Sequence, residues 1–226
     1  KTYLLECMAL RFREKQTQVF IIAPDKGHEF KRACDAIGGS FITIAPGSGQ
    51  NINIMEIRPK DERKTILLDG NEEASNSILS AKIQNLHAFF SLLVPDISYE
   101  ERQILDEALM RTYERFNITT DNNSLPDPER PGHYRKMPIL GDLHQELKNS
   151  GTTAQRLCTI LGRYVSGSAA SFNQPTNVNL DNKYVVLDVS KLTKEMLPMG
   201  IFIALDYVWD KAREDRTSKK VIFMDE

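Results

Sequence analysis

Asp225 and Glu226 stand together at the end of a short apolar run. The segment Lys220–Asp225 is unbroken, β-branched and aromatic, which predicts a strand buried in a parallel sheet. Such sheets bind their ligands at the carboxyl ends of the strands. There, one carboxylate can hold Mg²⁺ through water and a second can orient and deprotonate an attacking water. The alternative is that the two acids simply end a strand in solvent.

Lys1 and Thr2 directly precede an amphipathic helix predicted for residues 2–13. They are what remains of a GxxxxGKT phosphate-binding loop, the Walker A motif, when it is cut at its lysine. In that interpretation Lys1 reaches the β- and γ-phosphates, the Thr2 hydroxyl lies on Mg²⁺, and the helix N-terminus faces the anion. We then expect residues 1–226 by themselves to bind ATP poorly. The alternative is an arbitrary domain boundary.

Strands and helices must alternate to bring these two chain ends together. The patterns predict strands at 18–23, 40–44, 183–189 and 220–225, with a further strand at 52–57, and long helices between them. Alternation of this kind indicates an α/β fold with a doubly wound, mainly parallel sheet.

The middle of the sequence shows helical patterns alone. Ser98 and Glu101 form a capping box at the start of one helix, and Pro138 is expected in the first turn of another. Residues 117–136, rich in Asn, Asp and Pro, are predicted to be a mobile loop. We therefore divide the chain into a first core part at 1–75, a helical insertion at 76–150 and a second core part at 151–226.

The composition is that of a globular protein and excludes several classes. With 29 basic and 31 acidic residues the net charge is -2, so charge gives no indication of DNA binding, which stays open. Three distant cysteines without a CxxC spacing suggest neither disulfides nor zinc and fit a reducing cytosol. No apolar run approaches the ~20 residues that span a bilayer.

Six segments occur in an order that resembles one family. They are KTYLLECMALRF, VFIIAPDKGHEF, AIGGSFITIAPGSGQNINIMEI, SGSAASFNQPTNV, YVVLDVS and KKVIFMDE. They look like the ATPase domain of type IV secretion and conjugation ATPases, the TraC/TrbE/TraE group, over nearly the whole chain. The resemblance implies a RecA-like P-loop NTPase core with an inserted all-α subdomain, and ATP and Mg²⁺ as cofactors.

The resemblance also assigns site residues. Lys1 and Thr2 match the end of the family's Walker A motif, and Asp225 and Glu226 match its Walker B motif. Lys1 and Glu226 are thus the expected catalytic residues, and Thr2 and Asp225 the expected metal ligands. Asp25 and Glu29 stand where the family places acids close to the nucleotide. They equally suit a turn acid and a helix-opening acid stabilised by the helix dipole.

Three further polar residues receive no assigned role. Asn53 follows the family's Asn-containing segment, but Ile54 stands where a proline is usual. Arg156 and Arg163 lie in a predicted helix, where an arginine usually contributes soluble surface. The family's sensor strand and arginine finger have no counterpart in this sequence.

The family likeness carries expectations about partners and location. It implies a homo-hexamer that acts with other type IV secretion components at the inner membrane, cytoplasmic and peripheral to the inner face of that membrane. The expected activity is Mg²⁺-dependent ATP hydrolysis that powers conjugative DNA transfer or secretion. Two alternatives stay open: a DNA-translocating hexamer of the HerA or FtsK kind, and an assembly scaffold that binds nucleotide without hydrolysing it.

Overall fold

The computed structural model describes residues 2–58, 77–215 and 217–224. These residues divide into two compact units, each continuous in space but not in sequence. The sheet unit contains 2–52 and the described residues from 177 onward, and the helical unit contains 53–58 and 77–176. Residues 59–76, together with Lys1, Asp225 and Glu226, lie outside the described part.

The sheet unit is built on four parallel strands. They are β1 (Gln18–Ala23), β2 (Ser40–Thr43), β3 (Tyr184–Asp188) and β4 (Lys220–Met224). Their order in space is β2-β3-β1-β4, and every pair is parallel. Every residue of β3 is buried, as the apolar run predicts for a strand covered on both faces. The predicted α/β class with a parallel sheet is confirmed.

Three helices cover this sheet. They are α1 (Thr2–Glu14), α2 (Gly27–Ala36) and α7 (Leu197–Glu214), with Pro198 in the first turn of α7 as predicted. The helices α1 and α2 share one apolar cluster with alternate residues of the strands, among them Ala9, Phe30 and Tyr184. Because strand side chains alternate between faces, the remaining β1 residues point the other way. The contact of α7 with β1 covers that second face.

The helical unit contains four helices in its described residues. They are α3 (Ile78–Leu93), α4 (Tyr99–Glu114), α5 (Leu140–Lys148) and α6 (Gln155–Val165), with single 3₁₀ turns at Asn122–Ser124, Thr152–Ala154 and Ala170–Phe172. The capping box predicted at the start of α4 is present. The amide of Glu101 donates to Ser98 Oγ at 3.1 Å, and the amide of Ser98 donates to Glu101 Oε2 at 2.9 Å.

The expected strand at 52–57 is wrong. Asn53 bends the chain instead, because its Oδ1 accepts the amide of Met55 at 3.1 Å and its carbonyl accepts the amide of Glu56 at 3.1 Å. The apolar side chains of this segment are buried without forming a strand.

Two other boundaries differ from the sequence prediction. Pro138 does not lie in the first turn of α5, which begins at Leu140, because Asp142 Oδ2 accepts the amide of Ile139 at 2.8 Å and caps the helix there. The helical unit runs to Thr176 rather than ending at 150. The reason is that α6 packs against α5, so its buried face belongs to the helical core.

Candidate functional site

The carboxyl ends of the strands form one edge of the sheet, where parallel α/β sheets bind ligands. Asp188 of β3 lies in register with Ala23 of β1 and with Thr43 of β2. On the other side of β1, Met224 of β4 aligns with Ile22. The four strands therefore end at one level, and the residues that follow them are brought together.

Thr2 opens α1, whose N-terminus is at the same edge. The amide of Thr17 donates to the carbonyl of Phe12 at 3.1 Å, which turns the chain directly from α1 into β1. Thirteen helical residues rise about 20 Å, and six strand residues cover about the same distance, so α1 runs back along β1. The positive end of the helix dipole and the Thr2 position therefore lie at the carboxyl edge.

Asp25 and Glu29 lie in the turn and helix that follow β1. Both are exposed. Glu29 is in the first turn of α2, where its Oε1 is 3.9 Å from Lys26 Nζ and its amide donates to the Lys26 carbonyl at 3.0 Å. The structure places the two acids at the carboxyl edge, as the proposed nucleotide role requires. The same geometry also suits a turn acid and a helix-opening acid, so their roles remain predictions.

Asp188 is a residue of this edge that the sequence analysis missed. It ends the central strand β3 and is only 2% exposed. Its Oδ1 accepts the amide of Ser190 at 3.0 Å and the Ser190 hydroxyl at 2.6 Å. The available signal was an acid that directly follows the apolar run YVVL, which is the same pattern that drew attention to Asp225.

The remaining predicted site residues are outside the described part of the chain. The structure describes Thr2, which follows Lys1, and Met224, which precedes Asp225 and Glu226. Both of these described residues lie at the carboxyl edge. Within residues 2–58, 77–215 and 217–224, no group of three His, Cys, Asp or Glu side chains is placed to hold a metal ion. The assignment of Thr2 and Asp225 to Mg²⁺ therefore stays a prediction.

A cavity of about 300 Å³ lies along the outer face of α1, away from its first turn. It is lined by Lys15, which directly follows that helix, and by four residues of the helix itself: Cys7, Met8, Arg11 and Phe12. The same face exposes Leu4 and Met8, and Phe12 contacts Phe223 of β4 with ring centroids 6.0 Å apart. This apolar surface does not coincide with the carboxyl edge where the acids are found.

Comparison with a solved structure indicates a family. VirB4 of Thermoanaerobacter pseudethanolicus matches this chain with a TM-score of 0.82 and 27% sequence identity, over 100% of this chain and 80% of the other. This likeness supports a VirB4/TraC-like ATPase domain. No protein-family model matches the sequence, and no curated protein does. The likeness supports a general role among type IV secretion ATPases.

Asn53 has a local structural task in this VirB4/TraC-like domain. It is 3% exposed and its Nδ2 donates to the carbonyl of Pro138 at 2.8 Å. Its amide donates to Thr176 Oγ1 at 2.9 Å, so Asn53 ties together three distant segments of the helical unit. All of these contacts are internal to that unit.

Arg156 also serves the VirB4/TraC-like fold through contacts inside the helical unit. Its Nη1 donates to both carboxylate oxygens of Glu101, at 3.1 and 2.9 Å, and its Nη2 pairs with Asp96. The guanidinium of Arg163 lies 5.9 Å from the ring of Tyr164.

None of the helices formed by described residues has the length and apolar character needed to cross a membrane.

Proposed function

We propose that this chain is the ATP-hydrolysing domain of a motor that powers conjugative DNA transfer or type IV secretion. The observation that carries the proposal is the likeness to VirB4 over the whole of this chain and 80% of the other. In addition, the N-terminus of α1 lies at the carboxyl edge of the parallel sheet. In the proposed arrangement the protein is a homo-hexamer and meets other secretion components at the cytoplasmic face of the inner membrane.

ATP and Mg²⁺ fit the described part of this edge. The first turn of α1 directs its amide groups and the positive end of the helix dipole toward this edge, which favours a phosphate there. Hydroxyl and carboxylate oxygens, the donors expected from Thr2 and Asp225, are those that Mg²⁺ prefers. When bound, the metal would neutralise charge on the phosphates.

In the proposed site the protein's own groups divide the remaining tasks. Lys1 binds the β- and γ-phosphates as a point charge. Glu226 holds the attacking water in line and accepts its proton, which requires that carboxylate to be ionised. Asp25 and Glu29, on the neighbouring turn and helix, add negative charge beside the nucleotide.

The test is hydrolysis by the complete protein that carries this chain. Lys1→Ala and Glu226→Gln should each abolish ATP turnover, because one removes the phosphate contact and the other the base. Lys31→Ala and Glu107→Gln, on exposed helix surfaces, are matched controls that should retain it. Normal hydrolysis by either site variant would contradict the proposal.

Two further measurements separate the alternatives. Stimulation of ATPase activity by DNA that falls steeply with salt would favour a DNA-translocating hexamer, because such binding depends on contacts to phosphates. Nucleotide binding without turnover by the wild-type protein would favour an assembly scaffold.

A further inference from the structure

Among the described acids of the carboxyl edge, Asp188 is the most deeply buried. It is 2% exposed, whereas Asp25 and Glu29 on the same edge are exposed. Among the described residues no lysine, arginine or histidine forms an ion pair with it. Burying a carboxylate without a cationic partner is costly unless hydrogen bonds and dipoles stabilise it. The contacts of Asp188 therefore require an explanation.

The direction of its side chain follows from the alternation of β3. Tyr184 and Val186 belong to the cluster shared with α1 and α2, so Asp188, two residues further on, points to the same face. There it meets the start of α2. A carboxylate at the N-terminus of a ten-residue helix is stabilised by the helix dipole, which offsets part of the cost of burial.

Gly27, the first residue of α2, shows how close this contact is. A Cβ atom built on Gly27 would be 2.0 Å from Asp188 Oδ1 and 2.2 Å from its Cγ. Any residue other than glycine would therefore displace the helix or the carboxylate. Ser190 holds the same carboxylate oxygen, because its amide and its hydroxyl both donate to Oδ1. The carboxyl group thus joins the end of β3 to the beginning of α2.

The turn between β1 and α2 is what this contact controls. Pro24, Asp25 and Lys26 are the whole connection, and β1 pairs with β3 up to the Ala23–Asp188 register position. With β1 fixed at one end of the turn and Gly27 fixed at the other, three residues have little freedom left. Asp25 is exposed at the middle of that turn.

We propose that Asp188 is a positioning residue for ATP hydrolysis. Its buried carboxylate holds the first turn of α2, and so fixes the Pro24–Lys26 turn that presents Asp25 at the carboxyl edge. This inference rests on the proposed function, because it gives the turn a part in nucleotide binding. The role is exerted through the turn and not by contact with the nucleotide.

The experiment uses the complete protein with Asp188→Asn, which keeps the shape of the side chain and removes its charge. We expect kcat for ATP to fall about fivefold while KM changes less than about twofold, because the loss is one of orientation. Hydrogen exchange of the amides at 27–30 should speed up, while that at 33–36, at the other end of α2, stays as in the wild type. Asp35→Asn is the matched control: it lies in α2, is exposed, and pairs only with Lys31 among its described contacts.

A second pair of variants tests the Gly27 contact directly. Gly27→Ala should lower kcat, because its new methyl group collides with the carboxylate. Adding Asp188→Ala to that variant should cost less than the two separate losses together, since it removes the collision. Additive losses would overturn the proposed contact.

The exchange measurement separates this proposal from the proposed function. If the wild-type protein does not hydrolyse ATP, the proposed function fails, and faster exchange at 27–30 in Asp188→Asn would still support the hold on α2. Wild-type exchange at 27–30 in that variant would overturn the positioning role whatever the activity shows. An unchanged kcat together with faster exchange would also overturn it, because the turn would then not serve turnover.

Discussion

In the helical unit the buried acids Glu101 and Glu146 are bonded to cations, whereas at the carboxyl edge of the sheet the buried Asp188 has no cationic partner among residues 2–58, 77–215 and 217–224. Glu101 receives two hydrogen bonds from Arg156, and Glu146 Oε1 lies 2.6 Å from Arg115 Nη1. Asp188 relies instead on Ser190 and the start of α2. The difference indicates that polar groups in the helical unit serve its stability, while those at the edge are arranged for binding.

The largest effect that would sharpen this contrast is expected in the helical core. Leu109 of α4 is fully buried, so Leu109→Ala should lower the free energy of unfolding by about 3 kcal/mol by leaving a cavity. ATP turnover per folded molecule should stay unchanged. Thermal unfolding and hydrolysis rates measure the two quantities, with the exposed Leu92→Ala as the control. If folded Leu109→Ala lost ATP turnover, the helical unit would also serve hydrolysis, and the contrast between the two units would not hold.

At the carboxyl edge the opposite result is expected. Asp25 is exposed, so Asp25→Asn should leave the unfolding midpoint unchanged. It should lower kcat/KM for ATP about tenfold if the acid lies beside the nucleotide. Asp121→Asn, in a turn of the helical unit, provides the same chemical change away from the edge. Wild-type kcat/KM in Asp25→Asn would favour the simpler role of a turn acid.

The smallest effect concerns the Arg156 pair and its pH dependence. The amide of Ser98, and after it Arg156, lower the pKa of Glu101. A lowered pKa means that this stabilisation is present above the unfolded value of about 4.3 and is lost as pH falls through the folded pKa. At pH 7, Arg156→Met should lower the unfolding midpoint by a small amount.

The pH dependence gives this prediction its check. The difference in unfolding midpoint between wild type and Arg156→Met should shrink as the solution is acidified below about pH 4. Arg111→Met breaks an exposed pair with Glu107 at 3.9 Å and an exposed hydrogen bond to Ser150 Oγ at 3.1 Å, and should change the midpoint little at any pH. A difference that grows on acidification would show that the ion pair does not act through Glu101.

The sequence predicted the sheet well because buried parallel strands have a strong local pattern. The bounds of β1 were predicted residue for residue, and the capping box of α4 was also identified. The segment at 52–57 misled because its apolar residues suggested a strand, whereas the bond from the Asn53 side chain to the Pro138 carbonyl is tertiary. Local patterns do not contain such contacts.

The site was predictable in part for the same reason. Thr2, Asp25 and Glu29 could be assigned to the end of a strand or the start of a helix because both can be seen in the sequence. Asp188 was missed because its importance depends on Gly27, which lies 161 residues away and touches it only in the folded sheet. Lys1, Asp225 and Glu226 lie outside the described residues, so their assignment stays a prediction.

The strand order has a consequence for synthesis of the chain. β1 and β2 are neighbours in sequence but β3 lies between them in the sheet, and about 140 residues separate the end of β2 from the start of β3. A ribosome must therefore produce the whole helical unit before β1 and β2 can pair with β3. We expect the helical unit to fold early and the apolar strands to need protection from aggregation until β3 emerges.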